Sequence, residues 1–108
     1  MQRAPAALLC HRGAGPLHFD LIIGRGRRCP TLRLAIARRE LQLSWSQPHR
    51  RHYLTYRGPV SGGRGVVVRR WYGRVRWTRD LVDMGLFRLQ LKRLSVVPTA
   101  RLQTLLRP

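Results

Sequence analysis

The chain has 108 residues, the size of one domain, and 44% of them are hydrophobic, which predicts a packed core and excludes wholesale disorder. Lys and Arg number 22 against four acidic residues, so the formal net charge is +18, and this charge predicts a polyanionic partner, nucleic acid rather than membrane. Because the sequence has no membrane-spanning run and its two cysteines form no CxxC pair or disulfide framework, we expect a soluble, cytoplasmic protein.

Short segments that alternate with period two follow one another along the chain. The first, LHFDLII, places His18, Asp20 and Ile22 on one face of a strand and Phe19 and Leu21 on the other. Further strands are predicted for TLRLAI, LQLSW, HYLTY and LFRLQLKRL. The segments VVVRRWY and RVRW are predicted to form a hairpin around a glycine, and the tail TARLQTLL fits either a strand or a short helix. This pattern predicts an all-β fold, a small closed or partly open β-barrel formed by residues 1–108.

Two imidazoles lie close to one of the few carboxylates. On a strand, His18 and Asp20 share a face about 6.5–7 Å apart, and the RGAGP segment allows the chain to fold back and bring His11 near them. Two nitrogens and one carboxylate oxygen form a three-ligand site suited to Mn²⁺, Zn²⁺, Fe²⁺ or Co²⁺. The alternative interpretation is a polar strand face without a metal.

Two motifs in a fixed order carry a family resemblance. HFDL (residues 18–21) is followed by HRRHYLTYRGPVSGGRG (residues 49–65) and then by a valine-rich segment. This order resembles the 3′-phosphoesterase module of bacterial DNA ligase D, and more closely its small stand-alone relatives, which carry an HFDL strand and a YEGPVSG-RG turn. The resemblance extends from His11 to about Trp71, and it is the order of motifs rather than HFD alone that makes it specific.

The resemblance implies a compact β-barrel that binds a divalent metal, manganese in the first place with zinc or cobalt as alternatives, and removes 3′-terminal phosphate or ribonucleotide from a primer strand. His18 and Asp20 match two of the family's metal ligands, and His11 matches the third with a spacing one residue longer than in the ligase module. His49 matches a further active-site histidine and Tyr53 the tyrosine four positions on. The implied partners are 3′ ends of DNA or primer strands, together with a ligase or polymerase.

The chain departs from the family pattern at three positions. Ile22 stands where the ligase module has an arginine, Arg57 replaces the acid of the YEGP turn, and Ile36 falls where a lysine is expected. Three arginines are candidate substitutes for that lysine: Arg33, Arg38 and Arg39. Ile22 favours a second hypothesis, a non-catalytic basic β-barrel that binds nucleic acid and is a degenerate relative of the enzyme. The retained residues favour the enzyme: His11, His18, Asp20, His49 and Tyr53.

Further signals are open to two interpretations. The GPVSGGRG segment lacks the Gly-Lys-Ser/Thr of a P-loop, so we interpret it as a structural turn. The segment RRWYGRVRW interleaves arginines with Trp71, Tyr72 and Trp77, which either stack on bases or pack in the core. His52 is predicted to lie on the strand face opposite Tyr53, at the surface. A two-His-one-carboxylate iron oxygenase ranks last, because the third ligand candidate precedes the His-x-Asp pair here.

Overall fold

A computed structural model gives the chain one curled antiparallel sheet that forms a half-barrel, a small and partly open β-barrel as predicted. The residues that the structure describes are 1–13, 17–37, 40–60, 62–85, 87–91, 95–96 and 100–106. The order of strands across the sheet is β8-β7-β6-β1-β2-β3-β4-β9, and β5 pairs with β6. The strands are β1 (Gln2–Arg12), β2 (His18–Ile23), β3 (Arg28–Ala37), β4 (Glu40–Arg50), β5 (Gly58–Pro59), β6 (Val66–Trp77), β7 (Leu81–Asp83), β8 (Arg88–Gln90) and β9 (Ser95–Val96).

The N-terminal segment forms the central strand β1, which pairs with β2 on one side and β6 on the other. The sequence did not predict this strand, because its residues are apolar on both faces and therefore do not alternate. Ala6 and Leu8 face one core cluster, whereas Ala7 and Leu9 face another. Strands buried on both faces read as continuous apolar runs, and β1 is such a strand.

Each face of the sheet carries its own apolar cluster. The larger cluster includes Phe19 and Leu21 of β2, and helix α1 (Ala100–Leu105) contributes Leu102 to it. The smaller cluster lies on the opposite face and contains Ile22 together with Leu54. The alternation predicted for β2 is therefore confirmed, but its second face is polar at one end and apolar at the other: His18 and Asp20 begin it, and a buried isoleucine ends it.

Two segments differ from the sequence prediction. The HYLTY segment is not a strand, since β4 ends at Arg50 and a 3-10 helix (Arg51–Leu54) follows. The predicted hairpin at Gly73 is absent, because β6 runs through it from Val66 to Trp77. A Cβ at this glycine would lie 2.5 Å from the indole of Trp71, so the glycine leaves room for that ring and makes no turn.

The C-terminal tail forms the short helix α1, one of the two alternatives for TARLQTLL. The guanidinium of Arg70 donates hydrogen bonds to the backbone carbonyls of Thr104 and Leu105 at 3.2 Å each. A cation at the carboxyl end of a helix satisfies carbonyls that have no partner within the helix. None of the described helices is long and apolar enough to cross a membrane.

Candidate functional site

The β1–β2 hairpin brings the three predicted metal ligands together. His11 near the end of β1 is the direct cross-strand partner of His18 at the start of β2, and their rings lie 5.1 Å apart in an edge-on arrangement. Asp20 follows two residues later on the same face of β2. Ligand atoms of His11, His18 and Asp20 all lie within 4.8 Å of one another, so this cluster can hold a metal ion. The predicted return of His11 toward His18 and Asp20 is thus confirmed, through the antiparallel pairing of β1 with β2.

Asp20 is buried, with 3% of its surface exposed, and basic groups surround it. Its Oδ2 lies 3.2 Å from His18 Nε2 and 3.7 Å from His49 Nε2, and its Oδ1 lies 3.5 Å from Arg33 Nε. Oδ1 accepts no hydrogen bond from the described residues. Burying a carboxylate is costly unless charges and hydrogen bonds compensate for lost water, and a metal ion would supply the missing interaction.

A hydrogen bond to a backbone carbonyl orients the ring of His11. Its Nε2 lies 2.6 Å from the carbonyl oxygen of Arg64. Since a carbonyl only accepts, Nε2 carries the proton in this bond and Nδ1 keeps a lone pair. Metal-binding histidines usually donate their second ring N–H to such a partner, which fixes the tautomer and the ring orientation. The bond therefore prepares His11 for the role of a metal ligand.

The glycine-rich turn supplies this carbonyl, which gives the GPVSGGRG motif a structural role beside the site. Gly65 has a φ of +91°, and a Cβ added to it would lie 1.8 Å from the carbonyl oxygen of Arg12. Val60 N–H donates a hydrogen bond of 2.7 Å to the Gly65 carbonyl and closes the turn. A residue without a side chain is required for the turn to approach the end of β1, and this approach places Arg64 beside His11.

His49 and Tyr53 lie next to each other, although the strand predicted for HYLTY, which contains Tyr53, does not form. His49 lies near the end of β4, and Tyr53 lies in the 3-10 helix that follows, yet their rings are 5.9 Å apart. His49 Nδ1 donates to the carbonyl of Gln47 at 3.1 Å, which leaves Nε2 directed toward Asp20. His49 is thus adjacent to the metal-ligand cluster, with a defined ring orientation.

The 3-10 helix also changes the position of His52. Its ring lies 4.1 Å from that of Tyr53, whereas the strand prediction placed the two on opposite faces. Tyr56 packs edge-on against both rings and donates a hydrogen bond to the Pro59 carbonyl. The result is an aromatic wall, formed by His52, Tyr53 and Tyr56, beside the candidate ligands.

Arg33, one of the three candidate substitutes for the expected lysine, lies beside Asp20. It is the cross-strand partner of Asp20, and the register of β2 against β3 determines this contact. Ile36, at the position of the expected lysine, is half exposed and lies on the strand face of Leu34, away from Asp20. Arg38 and Arg39 lie outside the described residues.

Ile22 shares the face of Asp20, as predicted, but is fully buried in the smaller cluster with Leu54. An arginine at this position would have to place its guanidinium among apolar side chains or displace the 3-10 helix. Arg57, the third departure from the family pattern, is exposed in the loop before β5. Ile22 therefore belongs to the apolar packing beneath the 3-10 helix and not to the polar site.

A cleft of about 740 Å³ is lined by His11 and Asp20 of the metal-ligand cluster and by the aromatic wall. Asp20 is the acidic residue among the described residues that line it. The basic residues that line it are His11, Arg28, His49, Arg50, His52 and Arg64. Of these, Arg28, Arg50, His52 and Arg64 were not predicted to share a surface with the metal ligands. Strand register and the 3-10 helix bring them there. The charge of the cleft favours an anionic ligand.

The Arg- and aromatic-rich segment of β6 divides between core and surface. Trp71 and Trp77 pack against the larger core cluster, which agrees with the structural interpretation of both. Tyr72 is 49% exposed, and the guanidinium carbon of Arg69 lies 5.4 Å from its ring centre. Tyr72 is therefore the aromatic residue of this segment that is available for stacking on a base.

Comparisons of the chain with protein-family models, with curated proteins and with solved structures found no match. The fold and the site by themselves define a small, partly open β-barrel with a His-His-Asp cluster that can hold a metal ion.

Proposed function

We propose that this protein is a divalent-metal-dependent phosphoesterase that removes phosphate or a ribonucleotide from 3′ ends of DNA or RNA-primed DNA. One observation carries the proposal: His11, His18 and Asp20 converge within 4.8 Å, and two of them, His11 and Asp20, line a cleft whose other charged residues are basic. The cluster provides donors for a metal, and the cleft provides cations for a phosphate. The order of motifs shared with the ligase D phosphoesterase module points to the same chemistry.

The donor set fits a divalent transition metal, for which manganese is the proposed identity, with zinc and cobalt as alternatives. Two imidazoles and one carboxylate suit Mn²⁺, Zn²⁺ or Co²⁺ better than Ca²⁺, which prefers six to eight oxygen ligands. The buried Oδ1 of Asp20, which accepts no hydrogen bond from the described residues, agrees with a ligand role. When bound, such an ion polarises a phosphoryl oxygen and lowers the pKa of a bound water.

His49 and Tyr53 are the proposed groups for proton transfer and phosphate binding. The Gln47 carbonyl holds His49 Nδ1–H, so that Nε2 faces the cleft and, when protonated, can deliver a proton to the leaving oxygen. The packing of Tyr53 between His49 and His52 fixes its ring, and its hydroxyl can donate to a phosphoryl oxygen. Arg33 beside Asp20 provides a planar fork for the same phosphate.

The test is release of inorganic phosphate from a 3′-phosphorylated primer annealed to a template, with manganese and with a chelator. We expect release with manganese, its loss with the chelator, and its recovery when manganese is added back. His18→Ala should bind less manganese by elemental analysis and release less phosphate. If the parent protein binds primer and manganese but releases nothing, the enzyme proposal fails.

A second candidate is a non-catalytic nucleic-acid-binding β-barrel. The observation that favours it is the fully buried Ile22, which stands where the ligase module has an arginine. This position therefore offers no guanidinium to bind a phosphate next to the metal ligands. The exposed Tyr72 and its neighbour Arg69 add a surface for phosphate and base that includes no metal ligand. Salt-dependent binding without phosphate release in the assay above would support this candidate.

A further inference from the structure

Two arginines face each other across the end of the β3–β4 pair. Arg28 and Arg50 are direct cross-strand partners, and both line the cleft. Like charges placed directly opposite each other on neighbouring strands destabilise a sheet. Within the described residues, neither of them has an acidic partner that would offset this repulsion. An anion bound between them would remove the repulsion.

The arginine pair lies one residue along the two strands from His49. The next cross-strand pair along these strands joins Cys29 with His49, whose Nε2 faces Asp20. Successive side chains of a strand point to opposite sides, but this pair lies at the end of the two strands and both arginines line the same cleft as His49, so a ligand that contacts His49 can also reach them. The aromatic wall lines the same cleft. The arginines are thus positioned for a second anionic group of the molecule whose first group lies at the metal ligands.

We propose that Arg28 and Arg50 bind the phosphodiester on the 5′ side of the terminal nucleotide, so that the site selects a nucleic-acid strand over a free nucleotide. This inference rests on the proposed function, because it assumes that the terminal 3′-phosphate lies at His11, His18 and Asp20. Each guanidinium offers a planar fork of donors that matches two oxygens of a phosphate. The aromatic wall is available to the terminal base between the two phosphates.

The experiment uses competition in the presence of a chelator, so that binding is measured without hydrolysis. A fluorescent 3′-phosphorylated oligonucleotide is displaced by two unlabelled 3′-phosphorylated dinucleotides, one with a normal phosphodiester and one with a neutral methylphosphonate at the same linkage. Arg28→Gln with Arg50→Gln removes the proposed pair. Arg25→Gln with Arg27→Gln is the matched control, since it removes the same charge from exposed residues of the adjacent loop that do not line the cleft.

The parent protein and the loop control should bind the normal dinucleotide about 10- to 100-fold more tightly than the neutral one, the size expected for charge-assisted bonds to phosphate. The cleft variant should bind the two dinucleotides equally. The inference is overturned if the parent does not discriminate between them, or if the folded cleft variant discriminates as the parent does. The single substitutions are measured as well, in case the double variant does not fold.

This outcome is separate from the fate of the proposed function. If the protein binds the normal dinucleotide more tightly than the neutral one in the presence of chelator but releases no phosphate with manganese, the phosphodiester site stands and the enzymatic role fails. A protein that releases phosphate but binds the neutral dinucleotide as tightly as the charged one is an enzyme without this site.

Discussion

Gly65→Ala tests whether the glycine-rich turn prepares His11 for metal binding. The new Cβ would lie 1.8 Å from the Arg12 carbonyl oxygen, whereas real Cβ contacts essentially never fall under 3.0 Å. The turn and the end of β1 must therefore separate by more than about 1 Å. The His11–Arg64 hydrogen bond is 2.6 Å long, and a shift of this size would stretch it beyond hydrogen-bonding distance.

Loss of such a supporting bond typically lowers metal affinity about 10- to 100-fold, which corresponds to about 1.4–2.8 kcal/mol. We expect Gly65→Ala to lose manganese affinity by this factor in isothermal titration calorimetry. The titration is carried out well below the unfolding temperature, so that a loss of stability is not mistaken for a loss of affinity. Circular dichroism before the titration shows whether the variant is folded.

Gly63→Ala is the matched control within the same turn. Gly63 also has a positive φ, +67°, but a Cβ there would meet nothing within 4 Å. This variant should show the backbone cost of alanine in the left-handed region, about 1–2 kcal/mol of stability, with manganese affinity unchanged. The reasoning is refuted if folded Gly65→Ala binds manganese as tightly as Gly63→Ala does.

His49→Ala should lower phosphate release about 10²- to 10⁴-fold and leave manganese content unchanged, because a general acid does not bind the metal; loss of manganese in this variant would make the residue a ligand instead. Tyr72→Ala should weaken single-strand binding by about 1–3 kcal/mol in fluorescence anisotropy without changing the unfolding temperature, whereas unchanged binding would exclude stacking on this ring. The hydrogen bond from the Gly85 N–H, followed by the hydrogen bond from Arg76, lowers the pKa of the Asp83 carboxyl below its usual 3.8. Asp83 therefore stabilises the fold above about pH 5, and this contribution is lost as the pH falls through the lowered pKa. Asp83→Asn should therefore flatten the acid limb of a stability-against-pH curve more than Asp80→Asn, which removes the same charge from an exposed turn; equal curves would contradict the assignment.

The sequence predicted the features that depend on local spacing. Alternation along β2 placed His18 and Asp20 on one face, because successive side chains of a strand point to opposite sides. The same rule predicted a strand for LQLSW, which lies within β4, and indicated an all-β fold. The closeness of His11 followed from the glycine-containing RGAGP segment before the predicted strand, which allows the chain to fold back. These inferences need no knowledge of which strands are neighbours.

Other features depended on strand register and on packing, and the tertiary structure alone decided them. Arg33 reaches Asp20, and Arg28 meets Arg50, because β3 pairs with β2 and β4 in one particular register. Central strand β1 escaped prediction because burial on both faces removes the alternation that reveals a strand. The segment after His49 alternates like a strand, yet it forms a 3-10 helix that buries Leu54 over Ile22. Local pattern determines which way a side chain points, whereas its neighbours depend on how distant segments bury their apolar surface together.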